Sequence, residues 1–89
     1  MPFYIYIIKS EMDKSYYKGF SENPLIRLQQ HNNGETPSTK PFIPWKLVYI
    51  EELPSKSHAL KRERNLKKYS RERLENLFNS PKNLLHKFI

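Results

Sequence analysis

The chain has no cysteine, no long apolar run and few acids for its number of bases. Without cysteine there is no disulfide framework, no thiolate zinc site and no cysteine nucleophile. The same absence is compatible with a reducing, intracellular setting, and a cytoplasmic location is the expectation. No stretch approaches the roughly 20 apolar residues that a membrane-spanning helix needs. The N-terminus shows no basic segment followed by an apolar run and a small-residue cleavage site, so no secretory signal is expected. Internal repeats and low-complexity segments are absent as well. Eighty-nine residues make one domain. A chain of that size buries only about 60–65% of its unfolded surface, which argues against a deep, closed cavity and suits a shallow site open to a large substrate.

What the chain does have is positive charge. Sixteen Lys and Arg stand against nine Asp and Glu, a formal net charge of +7. Such an excess on a small domain favours a polyanionic partner, nucleic acid first and an anionic membrane second. The basic residues concentrate inside a predicted helix rather than in a terminal arm, so a folded surface carries them.

The rest is organised around the first twenty residues. Phe3 to Lys9 and Ser15 to Phe20 are runs rich in tyrosine and isoleucine, separated by a short polar connector. Aromatic and β-branched residues suit a pleated surface, so the two runs are expected to pair as an antiparallel hairpin. Side chains alternate across a strand, which puts Tyr4 and Tyr6 on one face and Phe3, Ile5 and Ile7 on the other. Tyr17 and Gly19 share a face of the second strand, and the glycine leaves room for a close approach to the backbone. Tyr6, Tyr17 and Gly19 could therefore form the floor of a site. Taken alone, the hairpin suits better the plainer reading, tyrosines that only fill a small core, because aromatics in strands are common.

Asn23-Pro24 is a good N-cap and N1 pair, and Asn32-Asn33-Gly34 a good stop, so a helix is expected between them. Leu25 and Leu28 should pack on the sheet, with Arg27 and His31, four apart, projecting together from a different face. Prolines make 35–44 a loop, and Trp45 to Ile50 reads as a third strand. Ser55 or Ser57 then caps a helix over roughly 56–68 that carries Lys61, Arg62, Arg64, Lys67 and Lys68. Ala59 and Leu66 mark its packing stripe, and Glu63, its lone acid, sits on that stripe. A carboxylate there must pair with a cation or bind a metal, and the spacing does not decide which. A helix over 70–79 and a last short one after Ser80-Pro81 read as packing elements. The class is α+β: a small three-stranded antiparallel sheet flanked by helices, β-β-α-β-α plus C-terminal helices, with a core at about 3–69 and an extension at 70–89.

Two tyrosines, an Arg/His pair and a lone carboxylate on a basic domain suit phosphodiester hydrolysis. Arginine stabilises charge on a transferring phosphoryl group, one carboxylate plus water can hold Mg²⁺, and a phenol or imidazole can activate water. In this order the motifs resemble the GIY-YIG endonucleases, in particular the small stand-alone bacterial members related to the nuclease domain of the excision-repair excinuclease ABC. The first signature is Tyr4-Ile5-Tyr6 and the second Tyr17-Lys18-Gly19. The helix follows as Pro24 to Asn32, then the Trp45-Lys46-Leu47-Val48-Tyr49 strand and Ala59-Leu60-Lys61-Arg62-Glu63.

The resemblance implies a metal-dependent DNA endonuclease of DNA repair or processing, structure-selective or weakly sequence-selective, using one Mg²⁺ or Mn²⁺. It implies catalytic roles for Tyr6, Tyr17, Arg27 and His31, a motif role for Gly19 and metal binding by Glu63. Duplex or branched DNA is the expected partner, with RNA also open, and Lys18, Lys61, Arg62, Arg64, Lys67 and Lys68 are candidates for backbone contact. Tyr4 stands where the family has glycine and Lys18 where it has isoleucine. The rival reading is an inactive nucleic-acid-binding module on the same fold.

Overall fold

β-Branched and aromatic residues crowd the first strand, which is hydrogen-bonded on both sides. The computed structural model describes residues 2–89. In them β1 (Phe3–Ser10) pairs antiparallel with β2 (Tyr16–Ser21) on one edge and with β3 (Trp45–Leu53) on the other, giving the order β2-β1-β3. Both faces of β1 are covered, so Ile5, Tyr6, Ile7 and Ile8 are all buried. Between the strands and after them come α1 (Pro24–Asn32), α2 (Lys56–Leu66) and α3 (Arg71–Phe78), with 3₁₀ turns at Lys40–Phe42 and Leu85–Lys87. The expected α+β architecture is the one observed.

Each sheet face carries its own apolar cluster. Ile5, Ile7 and Tyr49 meet Leu66 of α2 and Leu74 of α3 on one side. Tyr6, Ile8, Trp45, Leu47 and Ile50 gather Leu28 of α1 and Leu84, Leu85 and Phe88 on the other. The pairing of β1 with β3 slips between Ile7 and Ile8, since Ile7 faces Tyr49 while Ile8 faces Leu47, and Val48 is the extra residue.

Five expectations need correcting. β3 runs on to Leu53 rather than ending at Ile50, because Phe3, Tyr4 and Ile5 pair with Leu53, Glu52 and Glu51. α2 stops at Leu66, and the last segment forms only the turn Leu85–Lys87 rather than a helix. Leu25 does not pack on the sheet and is 40% exposed. The inward face of α1 is set by Pro24 and His31, both buried, and Leu25 follows Pro24 by one residue, about 100° around the helix. For the same reason His31 does not project from a separate face; it points at the sheet beside Leu28. The caps, by contrast, form as expected: the Asn23 side chain accepts from Ile26 N–H, and Gly34, at φ +77°, supplies the left-handed residue after Asn33.

Candidate active site

The hairpin register decides the centre of the site. Tyr6 lies directly across from Gly19 and Ile8 across from Tyr17, so Tyr6, Gly19 and Tyr17 share the face that α1 covers. A Cβ placed on Gly19 would stand 2.6 Å from the Tyr6 hydroxyl oxygen. The close approach that the glycine permits is therefore made by the Tyr6 phenol itself.

α1 then lays His31 over this floor. Both residues are buried, and the Tyr6 hydroxyl lies 2.8 Å from His31 Nε2. On the far side of the ring, Nδ1 is 2.8 Å from Thr39 Oγ1, which in turn donates to the Thr36 carbonyl at 3.3 Å. Thr39 is 1% exposed, and its own carbonyl accepts from the Trp45 indole N–H at 2.9 Å. The Asn32 side chain grips the Trp45 backbone through both its N–H and its carbonyl, at 2.6 and 3.0 Å. The end of α1, the 36–42 loop and the start of β3 are thus one clamp around His31. Thr39 was not singled out from sequence. It lies in a polar, proline-rich loop where nothing in the spacing marks one threonine among its neighbours.

Burial fixes the protonation of the central pair. It pushes the Tyr6 phenol up to about 12, against the opposing pull of the nearby Arg27 guanidinium. Burial, and then the charge of Arg27, pushes His31 down to about 4. At neutral pH the phenol keeps its proton and the imidazole is uncharged. Tyr17 differs. It is half-buried, its ring sits edge-on to His31 with centroids 5.0 Å apart and 6.5 Å from that of Tyr6. It is the more accessible of the two phenols. Arg27 is also half-buried, and its guanidinium donates to Gln30 Oε1 at 2.6 Å.

Glu63 arrives from α2, close enough for its charge to raise the Tyr6 phenol further. Its side chain is 17% exposed and its carboxylate lies 3.7 Å from Lys67 Nζ, so the residue is both on the packing stripe and paired. No group of three or more His, Asp or Glu that could hold a metal occurs among the described residues. What one hard carboxylate suits is Mg²⁺ or Mn²⁺ that keeps most of its water and takes further oxygens from a phosphate. Glu63 fits that limited role if Lys67 gives way.

The basic residues of α2 do not form one face. Lys61, Arg64, Lys67 and Lys68 are exposed. Arg62 turns the other way: it is 17% exposed, pairs with Glu51 at 3.1 Å and donates to the Tyr69 hydroxyl. Lys18 faces α2, not the Tyr6 side, since it pairs across from Ile7. Burial first, and Lys67 second, lower its pKa.

Known proteins resemble this chain over most of its length. The GIY-YIG catalytic domain model matches residues 2–77. The chain belongs to the GIY-YIG family. A UPF0213 protein of Syntrophus aciditrophicus is 40% identical over 84 residues, covering 91% of this chain and 95% of that protein. Another, from Staphylococcus saprophyticus, is 44% identical over 71 residues, covering 79% and 85%. The solution structure of a UPF0213 protein from Bacillus halodurans superimposes with a TM-score of 0.59 at 28% identity, over 99% of this chain and 94% of that one. The UPF0213 name specifies no activity or substrate. GIY-YIG membership implies a nuclease-type function with nucleic acid as the substrate class. No helix among the described residues is long and apolar enough to cross a membrane.

Proposed function

We propose that this GIY-YIG protein is a divalent-metal-dependent endonuclease that hydrolyses DNA phosphodiester bonds, with weak or structure-based selectivity, in DNA repair or processing. One observation carries the reading. Three separate elements bring Tyr6, Tyr17, Arg27 and His31 together on one sheet face, and a fourth adds the Glu63 carboxylate. Packing alone has no use for a charged guanidinium and a carboxylate at the edge of a buried phenol.

In this reading Arg27 holds the scissile phosphate and neutralises charge as it builds on the oxygens. Tyr17 is the phenol that meets the attacking water, because Tyr6 is only 1% exposed. As the new P–O bond forms, the water's proton passes to the Tyr17 oxygen while the phenol's own proton leaves to solvent, and the leaving oxygen takes a proton from solvent as its bond to phosphorus breaks. Tyr6 and His31 act behind this layer, in orientation. Glu63 would hold the ion, which would supply positive charge to stabilise the charge that develops during cleavage.

The test is nicking of supercoiled plasmid and of branched DNA with Mg²⁺ or Mn²⁺, with EDTA and Glu63→Ala as controls. Cutting that requires metal and is lost in Glu63→Ala supports the assignment. Cutting that survives Glu63→Ala removes Glu63 from the site. The Lys67–Glu63 pair favours one rival, a binding module whose glutamate is a salt-bridge partner. Salt-sensitive DNA binding with no cutting of any substrate would establish that rival.

A further inference from the structure

We infer that Thr39 is a positioning residue for the cleavage site, setting the tautomer of His31 and through it the orientation of the Tyr6 hydroxyl. The role rests on the nuclease reading above only for its effect on rate. Hydrogen-bond polarity carries the rest.

The polar groups form one continuous line. At one end stands the Thr36 carbonyl, which can only accept. From it run Thr39 Oγ1, the two ring nitrogens of His31 and the Tyr6 hydroxyl, linked at 3.3, 2.8 and 2.8 Å. A hydroxyl has one proton to give, and Thr39 gives it to the Thr36 carbonyl. Thr39 Oγ1 then accepts from His31 Nδ1–H, which leaves Nε2 bare to accept from Tyr6 O–H. The opposite tautomer would set the bare Nδ1 against the Thr39 oxygen lone pair to lone pair and turn the Tyr6 proton away from His31.

The polarity matters at the exposed end. With its proton committed to His31, the Tyr6 oxygen turns its lone pairs, not its proton, toward the positive charge of Arg27, so the cation that would meet phosphate is not opposed by a phenolic proton. Thr39 can serve as this anchor because it is itself fixed. Trp45 holds its carbonyl, and Asn32 holds the Trp45 backbone.

The first measurement needs no variant: ¹⁵N NMR of the His31 ring in the full chain at neutral pH. Protonated Nδ1 with bare Nε2 is expected, and protonated Nε2 would overturn the inference. Thr39→Val removes the acceptor and keeps the shape. It should shift the ring signals toward the other tautomer and lower kcat by about 10- to 100-fold, the range typical of losing a group that orients a working side chain. KM should stay near its original value, and Thr39→Ser should restore both the signals and the rate. A Thr39→Val protein with unchanged tautomer and unchanged kcat would also overturn it. If the unaltered protein cuts nothing yet shows protonated Nδ1 that Thr39→Val abolishes, the positioning role stands and the nuclease reading falls.

Discussion

At the scale of single residues, space and charge around Tyr6 make two sharp demands. A methyl on Gly19 would meet the Tyr6 oxygen at 2.6 Å and its ring carbon Cζ at 2.7 Å. That ring is buried and held by His31, so it cannot swing aside as an exposed side chain would. Gly19→Ala should therefore cost about 1–3 kcal/mol through overpacking and break the Tyr6–His31 bond. Urea unfolding checks the first effect and His31 ring NMR the second; a variant as stable as the parent would refute the packing argument. His31 makes a demand on pH. Its pKa falls from 6.5 to about 4 through burial and then the charge of Arg27. Between those values the unfolded chain binds a proton that the folded one refuses, so stability rises with pH across the window. The contribution is whole above pH 6.5, is lost as pH falls toward 4, and amounts to at most about 3 kcal/mol. Carboxylates titrate near the lower end too, so the comparison must be a difference. The drop in urea midpoint from pH 7 to pH 4 should be smaller in His31→Gln than in the parent. Equal drops would mean that His31 is not held neutral by the fold.

Among the elements, the C-terminal segment depends on one side chain. β3 is an edge strand, and Asn83 covers part of that edge. Its amide donates to the carbonyls of Val48 and Phe78 and accepts from the N–H groups of Ile50 and Leu85. Leu84, Leu85 and Phe88 can then close the Tyr6 side of the core. Asn83→Ala should cost about 1–3 kcal/mol, since it leaves several half-buried backbone groups without partners. Amide exchange should quicken at Ile50 and Leu85 first, and uniform protection would contradict the stapling role. This segment also shows where sequence reading ends. The hairpin, the α1 caps and the α2 stripe are local patterns, and all were legible. What holds 80–88 is an asparagine reaching 33 residues back to Ile50, which no local period encodes. The site divides in the same way. Tyr6, Tyr17, Arg27, His31 and Glu63 were named as candidates because residue type, strand alternation and the order of the motifs are local features. Thr39 was not, since its burial depends on a loop folding back over α1. The orientation of α1 was misread because Pro24 and His31 join Leu28 on its inward face, while Leu25 turns outward.

For the molecule as a whole, the question is which of the sixteen bases meet a polyanion. Charge along α2 suggests a single strip of five, but the fold divides it. Lys61, Arg64 and Lys68 are exposed. Lys67 is exposed as well but stands at Glu63. Arg62 is held between α2 and β3 by Glu51 at 3.1 Å. An arginine whose charge is already matched releases no counterion when DNA arrives, whereas each free cation that settles on a phosphate does. Single changes to alanine at Lys61, Arg64 or Lys68 should each flatten the plot of log affinity against log salt by about 0.9 for every duplex phosphate that is no longer neutralised. Arg62→Ala should leave that slope unchanged and lower stability by about 1–3 kcal/mol, because it leaves the Glu51 carboxylate without its cation, with the Tyr49 hydroxyl still donating to it, and removes charge-assisted hydrogen bonds. Salt titrations on one unbranched duplex, paired with unfolding curves, separate the two effects. If Arg62→Ala flattened the slope as much as Lys68→Ala, the strand would cross the β3 side of α2, remote from Tyr17 and Arg27, and the cleavage site would have to be sought there.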